Sequence, residues 1–95
     1  MRTIYIDCLG AKNEAQVWQR YIDAATPDGA VMFGRNLDAF WDAVECGGPG
    51  WPGDAKLVFR HSATLAAIRI GNGASFLDAL RQMAGQATRT KIELA

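Results

Sequence analysis

Three short β-rich segments are separated along this chain by helical patterns, and this alternation limits the folds that it can adopt. Residues 3–8 (TIYIDC) and 90–94 (TKIEL) alternate apolar and polar side chains, whereas residues 56–60 (KLVFR) have a continuous apolar centre. Parallel strands require crossovers between them, and a strand buried on both faces has a continuous apolar run. The sequence therefore predicts an α/β fold, a three-stranded parallel sheet with helices packed on it in the order β-α-α-β-α-α-β.

Two helices are predicted between the first two strands. The first follows Asn13, a good N-cap residue with Gln16 three positions later, and it ends at the turn formed by residues 26–29 (TPDG). The second follows Asn36, which is also a natural N-cap residue. Apolar side chains at helical spacing predict its core-facing stripe, which consists of Leu37, Phe40, Trp41 and Val44.

Two further helices are predicted between the second and third strands. Ser62 would cap a short helix that continues to about Ile70 and is broken by the GNG of residues 71–73. The last long helix would stop near Gly85. Its apolar side contains Phe76, Leu77, Leu80, Met83 and Ala84.

The composition is that of one globular domain spanning residues 1–95. Apolar residues make up 49% of the chain, but no apolar run reaches the roughly 20 residues that span a bilayer. Asp7 interrupts the position where a signal peptide would be apolar, so we expect a cytoplasmic protein without membrane contact. Cys8 and Cys46 fit reduced thiols better than a disulfide framework.

The chain lacks the common catalytic and cofactor-binding motifs. His61 is the single histidine, neither cysteine has a recognisable catalytic context, and no nucleophile elbow or phosphate-binding loop is present. We therefore expect no bound metal and no cofactor. A carboxylate pair, Asp38 with Asp42, remains the one candidate for acid–base chemistry.

The net charge of zero hides an asymmetry along the chain. Residues 1–55 contain 4 basic and 8 acidic residues, whereas residues 56–95 contain 6 basic and 2 acidic residues. Residues 36–55 contain four acids and no base. This pattern argues against direct binding of nucleic acid and for a cationic partner.

Three of these acids lie on one face of the second predicted helix. At about 100° per residue, Asp38, Asp42 and Glu45 cluster beside Trp41. Asp38 would interact favourably with the helix dipole, and Asp42 and Glu45 could form an ordinary solvated face. Like charges four residues apart nevertheless repel, so a neutralising partner is the alternative. The following segment, residues 46–54 (CGGPGWPGD), is a loop whose Trp51 either packs on the core or is offered to that partner.

Residues 32–44 (MFGRNLDAFWDAV) resemble the hallmark helix of the barstar family of bacterial intracellular ribonuclease inhibitors. The family pattern is an aromatic pair, Gly, any residue, Asn, an apolar residue, Asp-Ala, two apolar or aromatic positions with Trp second, and Asp. The order of elements also follows the family over essentially the whole chain. The matching positions are Gly34, Asn36, Asp38, Ala39, Trp41 and Asp42.

The resemblance implies a non-enzymatic, free monomeric protein that plugs the active site of a small, basic, secreted, guanyl-preferring ribonuclease. Asp42 would take the place of the scissile phosphate, and Asp38 would meet a second guanidinium at the rim. Phe33, Trp41 and Trp51 would supply aromatic contacts. The implied partner-binding set is Phe33, Asn36, Asp38, Trp41, Asp42, Glu45 and Trp51. An immunity module for a cationic toxin domain that is not a ribonuclease is the alternative.

Several positions depart from the family pattern. Met32 and Phe33 replace two tyrosines, Arg35 adds a positive charge at the variable position, and Gln82 stands where some members have an acid. The loop at residues 46–54 is longer, and the chain has no net charge. These changes preserve the predicted fold but alter the chemistry that a target would meet.

Overall fold

A computed structural model describes residues 1–71 and 73–95. The α-helices and strands within this part of the chain are β1 (Arg2–Asp7), α1 (Glu14–Ala25), α2 (Leu37–Cys46), β2 (Ala55–Arg60), α3 (Phe76–Gln86) and β3 (Lys91–Leu94). Short 3-10 helices form at Ala30–Met32 and Ser62–Ala67. The predicted element order is confirmed, with the second of these 3-10 helices in place of the predicted short α-helix.

The described residues form a three-stranded parallel sheet with β2 at its centre. Leu57 pairs with Ile4 of β1 on one side and with Ile92 of β3 on the other. The predicted central strand is confirmed, because Leu57, Val58 and Phe59 are all buried. In β1, by contrast, buried and exposed residues alternate. The core therefore packs on the face of the sheet that carries Ile4, Leu57 and Phe59, whereas the opposite face has an exposed Tyr5 in β1 and a buried Val58 at its centre.

Aromatic side chains from the three α-helices and from β2 form the centre of the core. Trp18 of α1 packs against Phe40 of α2 with 5.0 Å between ring centroids, and against Phe76 of α3 at 5.5 Å. Phe40 in turn contacts Phe59 of β2 at 6.0 Å. These contacts join the three helices to the sheet. No helix in the described part of the chain is long and apolar enough to cross a bilayer.

Side-chain caps set the beginnings of the helices. The Asn13 side chain accepts a hydrogen bond from the backbone N–H of Gln16 at 2.9 Å, and that of Asn36 accepts one from Ala39 at 2.7 Å, so both predicted N-caps are confirmed. The expectation that Ser62 caps a helix is wrong. Its hydroxyl instead donates to the carbonyl of Ala95 at 2.8 Å, which ties the chain terminus to the end of β2.

The predicted break at residues 71–73 includes Asn72, which lies outside the described residues. Helix α3 begins after Ser75, whose hydroxyl accepts a hydrogen bond from the backbone N–H of Asp78. The helix ends at Gln86, one residue beyond the predicted stop at Gly85. A one-residue difference of this kind is usual at helix ends, because terminal turns fray.

Candidate protein-binding surface

Helix α2 presents one buried face and one acidic face. Phe40, Ala43 and Val44 are buried against the core, whereas Asp38 and Asp42 are exposed. Trp41 lies between the two faces and is half-buried, although the sequence predicts it for the core-facing stripe. The acidic face predicted from the helical spacing is therefore present, with the Trp41 indole beside it.

Asn36 supports this surface from the beginning of α2. Its carboxamide oxygen accepts the hydrogen bond from Ala39, and its amide group donates to the carbonyl of Gly34 at 3.4 Å. Both ends of the side chain thus hold the backbone that enters the helix. The Asn36 side chain therefore orients the start of α2, and the direct partner contact implied by the resemblance stays a prediction.

The carboxylates of Asp38 and Asp42 have no hydrogen-bond or ion-pair partner among residues 1–71 and 73–95. Two arginines, Arg35 and Arg89, are engaged elsewhere. Arg35 donates to the side-chain oxygen of Gln19 at 2.9 Å, and the Arg89 guanidinium lies over the Trp51 ring, 4.7 Å from its centroid. The chain therefore leaves both carboxylates available to an external cation.

Glu45 differs from the other two acids, because its carboxylate is already used within the chain. It accepts hydrogen bonds from the Thr88 hydroxyl at 2.6 Å, from the Thr88 backbone N–H at 2.8 Å and from the Arg89 N–H at 3.1 Å. The Thr88 hydroxyl and these backbone groups lower the pKa of Glu45. Glu45 thus ties the end of α2 to the segment before β3. Of the three acids in the predicted cluster, Glu45 stabilises the fold, whereas Asp38 and Asp42 form the exposed acidic face.

The glycine-rich loop (residues 47–54) is fastened to the core beside the acidic face. The Tyr21 hydroxyl donates to the carbonyl of buried Gly50 at 2.6 Å. Trp51 is half-buried, with Arg89 covering one face of its ring. Arg89, rather than the core, thus covers one face of the indole, part of the indole remains exposed, and contact of Trp51 with a partner stays a prediction.

Phe33 is the residue whose position differs most from the contact role implied by the resemblance. Only 5% of it is exposed, and its ring lies 5.7 Å from those of both Trp18 and Tyr21. It also lies so close to Gly50 that a Cβ there would come within 2.7 Å of the ring. The Phe33 ring therefore lies between Gly50 and the aromatic core and supports the loop. Its neighbour Met32 is 74% exposed instead.

A groove of about 440 Å³ lies between α2 and α3. Asp38 and Trp41 line one side, and Gln82, Met83 and Gln86 line the other. The groove combines apolar walls with carboxamide groups and one free carboxylate. It can therefore accept a long side chain that ends in a hydrogen-bond donor.

Asp42 lies where α2 meets the loop. The backbone N–H groups of Gly47 and Gly48 both donate to the Asp42 carbonyl, the latter at 3.1 Å. This turn brings Gly48 against the Asp42 side chain, so that a Cβ at position 48 would overlap the carboxylate. The sequence reasoning missed Gly48, and its place directly after the C-cap of an acidic helix was the only signal that could have drawn attention to it.

Fold and surface together define a small α/β domain that presents, beside a glycine-rich loop, a helix on which Asp38 and Asp42 have no counter-ion among the described residues. In the described part of the chain no three His, Cys, Asp or Glu residues are grouped so that they could hold a metal ion. Residues 1–95 match the model of the family described as Barstar (barnase inhibitor), and the chain belongs to this family. Comparison with curated proteins gives no match.

Proposed function

We propose that this protein inhibits a small, basic, secreted ribonuclease by placing the exposed acidic face of α2 in the enzyme's active site. Membership of a family described as barnase inhibitors supports an inhibitor. The observation that carries the proposal is the pair of exposed carboxylates, Asp38 and Asp42, which form an ion pair with none of residues 1–71 and 73–95. The protein would act by occlusion rather than catalysis, as a monomer in the cytoplasm of a bacterial cell.

The chemistry of RNA cleavage explains why such a surface would inhibit. A ribonuclease needs positive groups where it binds the phosphate, and a carboxylate can accept charge-assisted hydrogen bonds from the same arginine and lysine side chains. Asp42 would occupy the phosphate site, and Asp38 would bind a second cationic side chain. Clustered negative charge would also accelerate the encounter with a basic enzyme.

In this proposal the direct contact surface consists of Asp38, Trp41, Asp42 and Trp51. Asp38 and Asp42 are exposed, and Trp41 and Trp51 are half-buried; the first three belong to α2 and Trp51 belongs to the loop that follows it. Phe33, Asn36 and Glu45 would act indirectly. Phe33 supports the loop, Asn36 orients α2, and Glu45 holds the end of that helix.

The first test is inhibition of RNA cleavage by a panel of small guanyl-preferring ribonucleases. Asp42→Ala should weaken binding of an inhibited enzyme by about 30-fold or more, the range of an interface hot spot. Its free energy of unfolding should change by less than about 0.5 kcal/mol, because the residue is exposed. Asp23→Ala, which removes the same charge from an exposed position of α1, is the matched control.

The outcomes of this test separate the functional alternatives. Equal weakening by Asp42→Ala and Asp23→Ala would contradict an interface centred on α2. Absence of inhibition throughout the panel would favour a cationic toxin domain that is not a ribonuclease. The association rate with an inhibited enzyme should also fall steeply with added salt, since charges are screened over about 10 Å at 0.1 M. An association rate independent of salt would argue against electrostatic steering.

A further inference from the structure

We propose that Gly48 is a positioning residue that lets the Asp42 carboxylate lie against the loop in the orientation needed to bind a cation. This inference rests on the proposed function for the use of that carboxylate. Its structural part concerns the free protein alone: the lack of a side chain at position 48 sets the orientation of Asp42.

The argument begins with the volume that the carboxylate occupies. A Cβ built on Gly48 would overlap Oδ2 of Asp42 and would lie 2.9 Å from its Cγ. The Asp42 side chain therefore occupies the space that any other L-residue at position 48 would need for its own Cβ. Since a carboxylate at the end of a rotatable side chain can move, the conflict would be relieved by a different Asp42 rotamer.

The backbone conformation does not account for glycine at this position. Gly47, at the C-cap, has a φ of 75°, a left-handed conformation that favours glycine. Gly48 is outside the left-handed region, so a positive φ is not the reason for glycine at this position. The close approach of Asp42 is thus the feature of the described residues that excludes a side chain at position 48.

The same geometry predicts that alanine at position 48 changes binding more than stability. The Asp42 carboxylate is exposed and has no hydrogen-bond partner in the described part of the chain, so its rotation breaks no internal interaction. A charge-assisted hydrogen bond depends on distance and direction, and a displacement of about 1 Å can cost two orders of magnitude in a positioned site. We expect Gly48→Ala to weaken binding at least tenfold.

The first experiment measures the orientation of Asp42 in the free protein. Three-bond couplings between the Hα and Hβ protons of Asp42, recorded by NMR, give its χ1 populations. Gly48→Ala should shift these populations. The control Gly85→Ala should leave them unchanged, because a Cβ there would meet no atom within 4 Å. Unchanged Asp42 populations in Gly48→Ala would overturn the proposal.

The second experiment is a double-mutant cycle with a small basic ribonuclease that the wild type inhibits. Gly48→Ala should weaken binding at least tenfold in the wild-type background and have no effect in the Asp42→Ala background. Equal weakening in both backgrounds would overturn the proposal, because Gly48 would then act independently of Asp42. Urea denaturation of each variant checks that the fold is retained.

The two experiments distinguish failure of this inference from failure of the proposed function. If the wild type inhibits no ribonuclease, the assignment of the target is wrong. The χ1 measurement still decides whether Gly48 sets the orientation of Asp42, because it requires no partner.

Discussion

The hydrogen bond from Tyr21 to Gly50 joins the glycine-rich loop to the aromatic core. The Tyr21 side chain is fully buried within the aromatic cluster, and its hydroxyl donates to the Gly50 carbonyl at 2.6 Å. Burial raises the pKa of this phenol, so it stays a protonated donor throughout the physiological range. We therefore expect Tyr21→Phe to loosen the loop while preserving the packing of the ring.

The size of the effect follows from burial of both partners. A hydrogen bond contributes about 0.5–1.5 kcal/mol net, and a buried carbonyl left without a partner costs about 1–3 kcal/mol. Gly50 is buried, so its carbonyl cannot readily turn to water. We expect Tyr21→Phe to lower the free energy of unfolding by about 2 kcal/mol. For a domain of this size, that loss lowers Tm by roughly 8–16 °C.

Urea denaturation followed by tryptophan fluorescence measures this loss, with an unchanged m-value indicating that the unfolded state is unaffected. Tyr5→Phe is the matched control, because Tyr5 is 56% exposed and the structure gives its hydroxyl no hydrogen bond with any described residue. The control should change stability by less than about 0.5 kcal/mol. Equal losses in the two variants would refute the reasoning, since only one of them removes a buried hydrogen bond.

Two further predictions concern Glu45 and the thiols. Because hydrogen bonds lower the pKa of Glu45 from its ordinary value of 4.5, its contribution to stability is present above that pH and is lost as the pH falls through the folded value. Glu45→Gln should reduce the loss of stability between pH 6 and pH 3, measured by urea midpoints, with little effect on binding; an unchanged pH dependence would contradict this assignment. Burial raises the pKa of Cys8 to about 11, whereas Cys46 is exposed, so a thiol reagent at pH 8 should label Cys46 rapidly in the native protein and Cys8 only after denaturation. Equally fast labelling of both would contradict the buried position of Cys8.

Local sequence patterns were sufficient to predict the fold. The alternation in β1 and the apolar centre of β2 are properties of contiguous residues, and each reflects which faces of a strand are buried. Asn13 and Asn36 were predictable as caps, because each bonds a backbone N–H three residues away. Ser62 was not predictable in the same way, since its partner is the carbonyl of residue 95, which follows the neighbouring strand β3.

The candidate site was predictable only in part. Helical spacing placed Asp38 and Asp42 on one exposed face, as the structure has them. The same spacing grouped Glu45 with them, but the Thr88 and Arg89 groups that bind it are more than 40 residues away in sequence. No pattern within α2 could reveal that interaction.

The amino-acid sequence by itself determined the order of strands and helices, the start of α2 and the face on which its acids lie. These features depend on the period of the backbone and on bonds between near neighbours. Tertiary structure alone decided that Glu45 is held within the chain, that Phe33 lies beneath the loop and that Gly48 lies against Asp42. Each of these outcomes depends on which other segment of the chain lies beside the side chain. Packing of the whole domain determines that arrangement.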